Sequence, residues 1–210
     1  MKQKIIGWFG GFILIALAVY FIVARAAKSL QPVDSPADSM VKTIRLLPLG
    51  PGAQALADQT QKQLSVFISK IERLPPSALP ASAFYRPRGR YRADSLIHWM
   101  SRQAHSNEVL LGITTADIST TKNGKPDWGV MGLGFCPGNA AVASSHRLGN
   151  KSQFWKVAIH ELGHTSGLPH CPVKTCFMRD AGGGNPTEDE KEFCSKCKAV
   201  LINVGWKMGG

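Results

Sequence analysis

Apolar residues along the chain recur with two spacings, one typical of strands and one typical of helices. Short apolar runs bounded by glycine or proline predict strands, whereas apolar positions on one broad side of a longer segment predict helices. In this 210-residue sequence, strands are predicted over residues 43–49, 66–71, 109–114, 128–135 and 140–144. Helices are predicted over residues 53–64 and 93–103, from Ser152 through a histidine-rich motif, and from Thr187 onward.

The order of these elements predicts the fold class. Up to the histidine-rich motif the order is β-α-β-α-β-β-β-α, which predicts an α+β (α/β-like) domain built on one mixed, twisted sheet. The final helix is predicted because Thr187 and Glu190 have the spacing of a capping box. The chain is long enough for one domain to bury its own core.

The N-terminal segment differs from the rest of the chain. Residues 5–24 contain no charged side chain, and this is about the length that a helix needs to cross a bilayer. We therefore predict a transmembrane anchor over residues 1–25, a linker over 26–41 and the globular domain over 42–210. Because Ala24-Arg25-Ala26 resembles a cleavage site, a signal peptide is one alternative, and a buried helix is the other.

The same segment predicts where the protein is found. An anchor with its N-terminus inside the cell places the globular domain outside the cytoplasm, and makes the membrane a partner of the chain. Signal cleavage would instead give a secreted or periplasmic protein. Lysines before the segment balance Arg25 and Lys28 after it, so the positive charges leave the orientation open.

The formal net charge of +11 raises the question of an anionic partner such as nucleic acid. The basic residues are scattered, and no RNA-binding or helix-turn-helix signature accompanies them. We therefore interpret the charge as a generally basic surface, and nucleic acid is not expected as a partner. The sequence leaves the oligomeric state open.

The segment HELGHTSGLPH, which begins at His160, has the spacing of a catalytic metal site. On a helix His160 and His164 lie a turn apart on one face, where they can share one zinc ion, and Glu161 projects beside them as a candidate general base. Gly167 allows the left-handed conformation that ends a helix, so the chain can return His170 as a third ligand. Three protein ligands leave a fourth position open, as in catalytic zinc sites. The alternative is a chance arrangement of ordinary histidines.

Four cysteines follow this motif in two pairs and indicate a second zinc site. The Cys-x-x-Cys spacing is typical of zinc knuckles, and four thiolates can complete a tetrahedral structural site. Two disulfides are the alternative. The fifth cysteine, Cys136, is predicted to be a small buried thiol. The candidate ligands of the second zinc are Cys171, Cys176, Cys194 and Cys197.

The chain resembles the archaemetzincin family of zinc metallopeptidases. The resemblance rests on HELGHTSGLPHCPVKTCFM followed by CSKC, and weaker similarity covers most of residues 43–200. It implies a metzincin-like fold, a methionine turn that places Met178 beneath the catalytic zinc, and a structural zinc held by the four cysteines. Some members look like aminopeptidases. The family is associated with cytosolic proteins, so the N-terminal segment is a departure from it.

The resulting hypothesis is a zinc peptidase acting on peptides or proteins, with aminopeptidase action as the finer expectation. Zinc would polarise the scissile carbonyl, and Glu161 would move a proton from water to the leaving amine. Two other classes stay open: a nucleic-acid-associated protease of the SprT type, and a membrane-tethered protein that binds zinc without catalysis. Glu161 argues against the second, because it is not a metal ligand.

A glycine-rich segment is the expected substrate site. In metzincin-like folds the strand two before the active-site helix lies at the sheet edge, and substrate adds to it in antiparallel orientation. This strand corresponds to residues 128–135, where Gly129, Gly132 and Gly134 would let a peptide backbone approach closely. The alternative is a strand whose glycines merely let it bend.

Overall fold

Nine strands and four α-helices make up residues 42–208, the part of the chain that the computed structural model describes. The strands are β1 (Thr43–Leu49), β2 (Ile71–Arg73), β3 (Phe84–Tyr85), β4 (Arg90–Arg92), β5 (Glu108–Thr114), β6 (Ile118–Lys122), β7 (Lys125–Val130), β8 (Gly132–Gly134) and β9 (Ala140–Ser144). The helices are α1 (Ala53–Leu64), α2 (Ala93–Ser101), α3 (Phe154–Thr165) and α4 (Ser195–Asn203).

Five strands form the main sheet, in the order β2-β1-β5-β9-β8. The first four run parallel, and β8 pairs antiparallel with β9 at the edge. β9 is buried along its whole length and β5 along nearly all of it, as expected when both faces of a parallel sheet are covered. The strand predicted at residues 109–114 is therefore confirmed as a buried central strand.

Alternate residues of the main sheet enter two separate cores, because successive side chains of a strand point to opposite faces. Leu46 and Leu111 pack with α1, α3 and the C-terminal segment on one face. Leu49 and Leu110 pack with α2 and with Ile118 of β6 on the other face. Helix α3 is thereby fixed against β9 and the edge strand β8.

A second sheet, in the order β3-β4-β6-β7, is the main departure from the predicted fold. The single strand predicted over residues 128–135 is in fact two strands: β7 pairs with β6, whereas β8 pairs with β9. Met131 lies between them, and its carbonyl accepts a hydrogen bond from the Ser144 N–H at 2.7 Å. Because the apolar and glycine pattern continues through both strands, it does not reveal the change of sheet.

The strand predicted over residues 66–71 is largely wrong. The N–H groups of Phe67 and Ile68 bond back to the Leu64 carbonyl, so the chain continues to turn after α1. Strand β2 begins only at Ile71. The apolar residues of this segment pack into the core without belonging to a sheet.

The capping-box spacing predicted that the final helix begins at Thr187, but it begins at Ser195. The side-chain oxygen of Asn185 accepts hydrogen bonds from both the N–H and the hydroxyl of Thr187. This Asx turn uses the groups that would otherwise cap a helix, and a turn follows instead.

The predicted transmembrane helix and linker, residues 5–24 and 26–41, lie outside the described residues. Within residues 42–208, no helix combines the length and the apolar character needed to cross a bilayer. The longest helices there, α1 and α3, have 12 residues each.

Candidate active site and metal centres

Helix α3 brings two of the predicted metal ligands together. His160 and His164 lie one turn apart, and their Nε2 atoms are 3.1 Å from each other. The opposite side of the helix is fixed by buried apolar residues such as Phe154 and Ile159. The two imidazoles therefore face the cleft while the helix itself is held by the core.

The third imidazole is delivered by a sharp turn after α3. Gly167 has a φ of +91°, a left-handed conformation that costs glycine little, and the Leu168 N–H bonds back to the last turn of the helix at 3.0 Å. The chain then reverses. The centre of the His170 ring lies 4.9 Å from that of His164 and 5.4 Å from that of His160. All three predicted ligands are thus brought together.

Hydrogen bonds on the far side of the rings show what this site can bind. The Nδ1 atoms of His160 and His164 each lie 2.7 Å from a carbonyl oxygen, of Phe177 and Leu168 respectively. A carbonyl only accepts, so Nδ1 donates in both rings, and the two Nε2 lone pairs face each other. A shared cation would stabilise that arrangement. Zinc bonds of about 2.0–2.1 Å separate two tetrahedral ligands by about 3.3–3.4 Å, so the observed geometry fits zinc.

Burial keeps these imidazoles neutral, as metal binding requires. Desolvation, reinforced by the neighbouring His164, lowers the pKa of His160 to about 3. Desolvation also lowers the pKa of His164. Both rings therefore keep a free lone pair on Nε2 at neutral pH.

Asp180 is a candidate site residue that the sequence did not single out. Its Oδ2 lies 3.5 Å from His170 Nδ1, so this carboxylate can orient the third ring as the carbonyls orient the other two. The Gly182 N–H donates to Asp180 at 2.9 Å, and this bond holds the pKa of the carboxyl below its usual value. The one sequence signal was an acidic residue two positions after Met178, and its role depends on the chain reversal.

Replacing Asp180 by asparagine is expected to weaken zinc binding at the histidine site about 10-fold, because an amide orients the His170 ring less strongly than a carboxylate does. Competition with a chelator measures the affinity. Asp189→Asn makes the same chemical change at an exposed acid that pairs with Arg179, and it should bind zinc as the wild type does. Equal affinities for all three proteins would show that Asp180 does not support His170.

Glu161 lies beneath the edge strand β8. A β-carbon on Gly132 would collide with its Oε1 atom, and a β-carbon on Gly134 would lie 2.8 Å from its main-chain oxygen. Without a metal ion, desolvation raises the pKa of Glu161 to about 8, and the positive charge of a bound zinc ion would lower it again. The glycines of β8 therefore make room for Glu161, which is a different reason from the predicted close approach of substrate.

Gly132→Ala is expected to displace the Glu161 carboxylate and to lower kcat/KM for peptide hydrolysis by roughly 100-fold, as a misplacement near 1 Å can do. Overpacking should also cost about 1–3 kcal/mol of stability. Zinc content should stay unchanged, since no ligand moves. Gly149→Ala is the matched control, because a β-carbon there meets nothing within 4 Å. Wild-type turnover in Gly132→Ala would show that β8 does not constrain Glu161.

Gly129, the third predicted substrate glycine, has different surroundings. It lies in β7 of the second sheet, where a β-carbon would collide with the guanidinium of Arg147. Arg147 in turn donates from Nε and Nη2 to both carboxylate oxygens of Asp117, at 2.8 and 2.9 Å. Two of the three glycines therefore lie on the edge strand, and one lies on the strand before it.

Met178 is fully buried against the histidine-bearing turn of α3. A β-carbon on Gly163, next to His164, would collide with the methionine sulfur. The Met178 carbonyl accepts a hydrogen bond from the Cys171 N–H at 2.7 Å. The segment at Met178 is thus in contact with the active-site helix and hydrogen-bonded to the first cysteine.

The four C-terminal cysteines form a second group of potential metal ligands. The sulfurs of Cys171 and Cys194 lie 3.7 Å apart, and those of Cys176 and Cys197 lie 3.8 Å apart. Zinc–sulfur bonds of about 2.3 Å give separations of about 3.8 Å in a tetrahedral site, so this group also fits zinc. All four cysteines are unpaired. The Cys194 N–H donates to the Cys176 sulfur at 3.4 Å, while burial raises the pKa of this thiol.

A cleft of about 620 Å³ opens in front of the three histidines. Residues of β7 and β8 form one wall, α3 forms another, and the loop from Arg179 to Thr187 contributes a third. Cys136 lies at the margin of the cleft. It was predicted to be buried but is exposed, and its sulfur contacts the Leu168 carbonyl at 3.5 Å.

These features define the class of the protein. The active-site helix carries two histidines and a buried glutamate, and a glycine turn and a third histidine follow it. This arrangement is typical of a zinc-dependent hydrolase. A model of peptidase family M54 matches residues 58–203, more than half of the chain, and the chain belongs to this family. It is a zinc metallopeptidase of archaemetzincin type, which confirms the resemblance seen in its sequence.

Curated relatives agree with this assignment, and solved structures agree with the fold. The archaemetzincin of Methanopyrus kandleri is 27% identical over 168 residues, covering 76% of this chain and 93% of that protein. The archaemetzincin of Haloquadratum walsbyi is 27% identical over 175 residues, covering 75% and 98%. The crystal structure of the Methanopyrus kandleri protein matches with a TM-score of 0.66 at 24% identity, covering 82% and 98%. A zinc-dependent peptidase from Methanocorpusculum labreanum matches with a TM-score of 0.64 at 20% identity, covering 75% and 99%.

These findings correct the predicted location. The prediction of a membrane-anchored protein is wrong, because the chain matches archaemetzincins over nearly their whole length. The membrane is therefore not supported as a partner. The SprT-type protease and the non-enzymatic scaffold are not favoured either, because the matched family is a different peptidase family.

Proposed function

We propose that the chain hydrolyses peptide bonds at a zinc ion held by His160, His164 and His170, with Glu161 as the general base. The observation that carries this proposal is the convergence of three imidazoles beside a buried carboxylate. When bound, zinc supplies a Lewis acid that polarises the scissile carbonyl and lowers the pKa of water. Glu161 accepts a proton from the attacking water and passes it to the leaving amine.

The substrate pairs, in this proposal, with the free edge of β8. Among the described residues β8 pairs only with β9, and Gly132 and Gly134 line the cleft. An extended peptide that adds to this edge in antiparallel orientation gains main-chain hydrogen bonds. Since Glu161 lies directly beneath these glycines, the scissile bond would meet the base at this strand.

Cleavage near the N-terminus is the finer part of the proposal. An antiparallel peptide runs with its N-terminal residues toward Gly134, where β8 ends. β8 has only three residues, Gly132–Gly134. Little strand edge remains for residues before the scissile bond, and this supports aminopeptidase action.

The cysteine group is proposed to hold a second, structural zinc, so that each chain binds one catalytic and one structural ion. Its ligands are Cys171, Cys176, Cys194 and Cys197. Four sulfurs fill every position of a tetrahedral ion, so neither water nor substrate can bind there. The histidine group differs, because three ligands leave one position for chemistry.

Metal analysis and peptide digestion of the full chain test this proposal. We expect two zinc ions per chain, and cleavage of a peptide library that a chelator abolishes and added zinc restores. Matched peptides with free and acetylated N-termini separate the two modes of action. Loss of cleavage on acetylation supports an aminopeptidase, whereas equal cleavage indicates an endopeptidase. Fully loaded protein that leaves every peptide intact would contradict the proposed active site.

A further inference from the structure

A rigidly held arginine lines the cleft outside the proposed catalytic machinery. Arg147 binds both oxygens of Asp117 through Nε and Nη2, at 2.8 and 2.9 Å, in the bidentate geometry typical of strong arginine–carboxylate pairs. Its side chain remains 37% exposed and contributes to the cleft wall. Within residues 42–208, no group accepts a hydrogen bond from its Nη1 atom, so donors remain for a ligand.

Asp117 is itself fixed from behind by buried charges. Arg90 is buried, and its Nε lies 3.5 Å from Asp117 Oδ2. The Nη2 atom of Arg90 lies 3.7 Å from the carboxylate of Asp127, which is mostly buried as well. This chain of alternating charges runs from the second sheet to the cleft. The bidentate pair with Asp117 restricts Arg147 before any ligand arrives, which lowers the entropic cost of binding.

Gly129 completes the support of Arg147. The guanidinium occupies the space that a β-carbon at Gly129 would fill, so any larger residue there would displace Arg147 from its observed position. Three features together indicate a preformed binding site. They are a strand position that admits only glycine, a bidentate acidic partner and a buried counter-charge. An ordinary surface arginine needs none of these.

The charges around the cleft favour an anionic ligand. Four basic side chains line it, against three acidic side chains, one of which is the buried Glu161. The zinc ion proposed for the histidine site adds two further positive charges. Lys156 is a weaker candidate for the anion site, because two of its three N–H groups already donate to the carbonyls of Thr187 and Glu190, each at 2.6 Å.

Arg147 lies beside β7, the strand that directly precedes the edge strand β8, and this position selects one part of the substrate. Gly129 lies against Arg147 and Gly132 lies against Glu161, and three residues span at most about 10 Å. A peptide antiparallel to β8 runs from Gly134 toward Gly129, so its C-terminal side approaches Arg147. Two or three extended residues beyond the scissile bond cover this distance.

We propose that Arg147 is a specificity-determining residue that binds a substrate carboxylate two or three residues beyond the scissile bond. The carboxylate is either the free C-terminus of a short peptide or the side chain of aspartate or glutamate. This inference rests on the proposed peptidase function and names the substrate class for that site: peptides with an anionic group on the leaving side.

Matched peptides that share one scissile bond test the inference and separate the two sources of carboxylate. One arm compares a free C-terminal acid with its amide, and the other compares glutamate with glutamine at the same position. In the full-length wild type, kcat/KM should be about 10-fold or more higher for the acid of at least one arm, since a hydrogen bond between charged groups has that strength. Arg147→Gln should abolish this ratio.

Two further variants make the result interpretable. Gly129→Ala leaves Arg147 in the sequence but displaces its guanidinium, and it should lower the same ratio. Arg102→Gln removes an exposed positive charge that does not line the cleft, and it should keep the wild-type ratio. An acid-to-amide ratio near one in the wild type, or a ratio that Arg147→Gln leaves intact, would overturn the inference.

A binding measurement keeps this inference distinct from the peptidase proposal. In zinc-loaded Glu161→Gln protein, calorimetric titration with the acid and amide peptides should show tighter binding of the acid. Adding Arg147→Gln should remove the difference. If no peptide is cleaved by the wild type but this binding preference is present, the catalytic proposal fails and the inference about Arg147 stands.

Discussion

Glu161→Gln is expected to lower kcat/KM for peptide hydrolysis by about 100- to 10,000-fold, the usual contribution of a positioned general base. Glutamine has nearly the same shape but accepts a proton far less readily. Zinc content should not change, because Glu161 is not one of the three potential zinc ligands, His160, His164 and His170. The carboxylate is buried, so a neutral amide in its place should not reduce stability.

Steady-state hydrolysis of the best library peptide, with zinc content measured on the same sample, checks this prediction. Glu188→Gln is the matched control, since it makes the same change at an exposed glutamate and should retain wild-type activity. A Glu161→Gln protein with full zinc and undiminished turnover would exclude Glu161 as the base. Parallel loss of zinc and activity would instead assign it a structural role.

Cys194→Ser combined with Cys197→Ser is expected to weaken zinc binding at the histidine site by about 10- to 100-fold or more, although neither residue belongs to that site. Cys171 directly follows His170, so the cysteine group anchors the segment that delivers the third imidazole. Cys176 lies one residue before Phe177, whose carbonyl accepts the Nδ1 proton of His160. Losing the structural ion should therefore release two supports of the catalytic site at once.

Further contacts explain why the two sites should move together. The Cys171 N–H bonds to the Met178 carbonyl at 2.7 Å, and the Phe177 N–H bonds to the Glu192 carbonyl at 2.9 Å. These short connections leave little freedom to displace one metal site and keep the other. Binding of the structural zinc also contributes directly to folding, so the double variant should unfold at lower temperature.

The converse substitution is expected to behave differently. His160→Ala combined with His164→Ala should abolish activity, while the cysteine group keeps its zinc and circular dichroism shows a folded domain. Zinc per chain and chelator competition distinguish the two variants, and Cys136→Ser controls for loss of a thiol outside the cysteine group. Wild-type catalytic zinc affinity in the double cysteine variant would disprove the coupling. So would two native disulfides detected by mass spectrometry.

The sequence by itself determined the features that depend on local periodicity. Strands β1, β5 and β9 and helix α1 were predicted nearly to the residue, because an apolar run or an apolar helix face reports directly on local burial. The histidine spacing was equally informative. Two ligands one helical turn apart, followed by Gly167, define most of a metal site without any long-range contact.

Only the tertiary structure decided the features that depend on pairing between distant segments. Residues 128–135 look like one strand, yet hydrogen bonds to β6 and β9 divide them between two sheets. The roles of Asp180 and Arg147 also depend on tertiary contacts: Asp180 reaches His170 only after the chain reverses, and Arg147 packs against Gly129 of β7. Periodicity records which side of an element is buried, but not which partner buries it. The predicted glycines therefore lay in the right segment, while the side chains they accommodate, Glu161 and Arg147, became visible only in the folded chain.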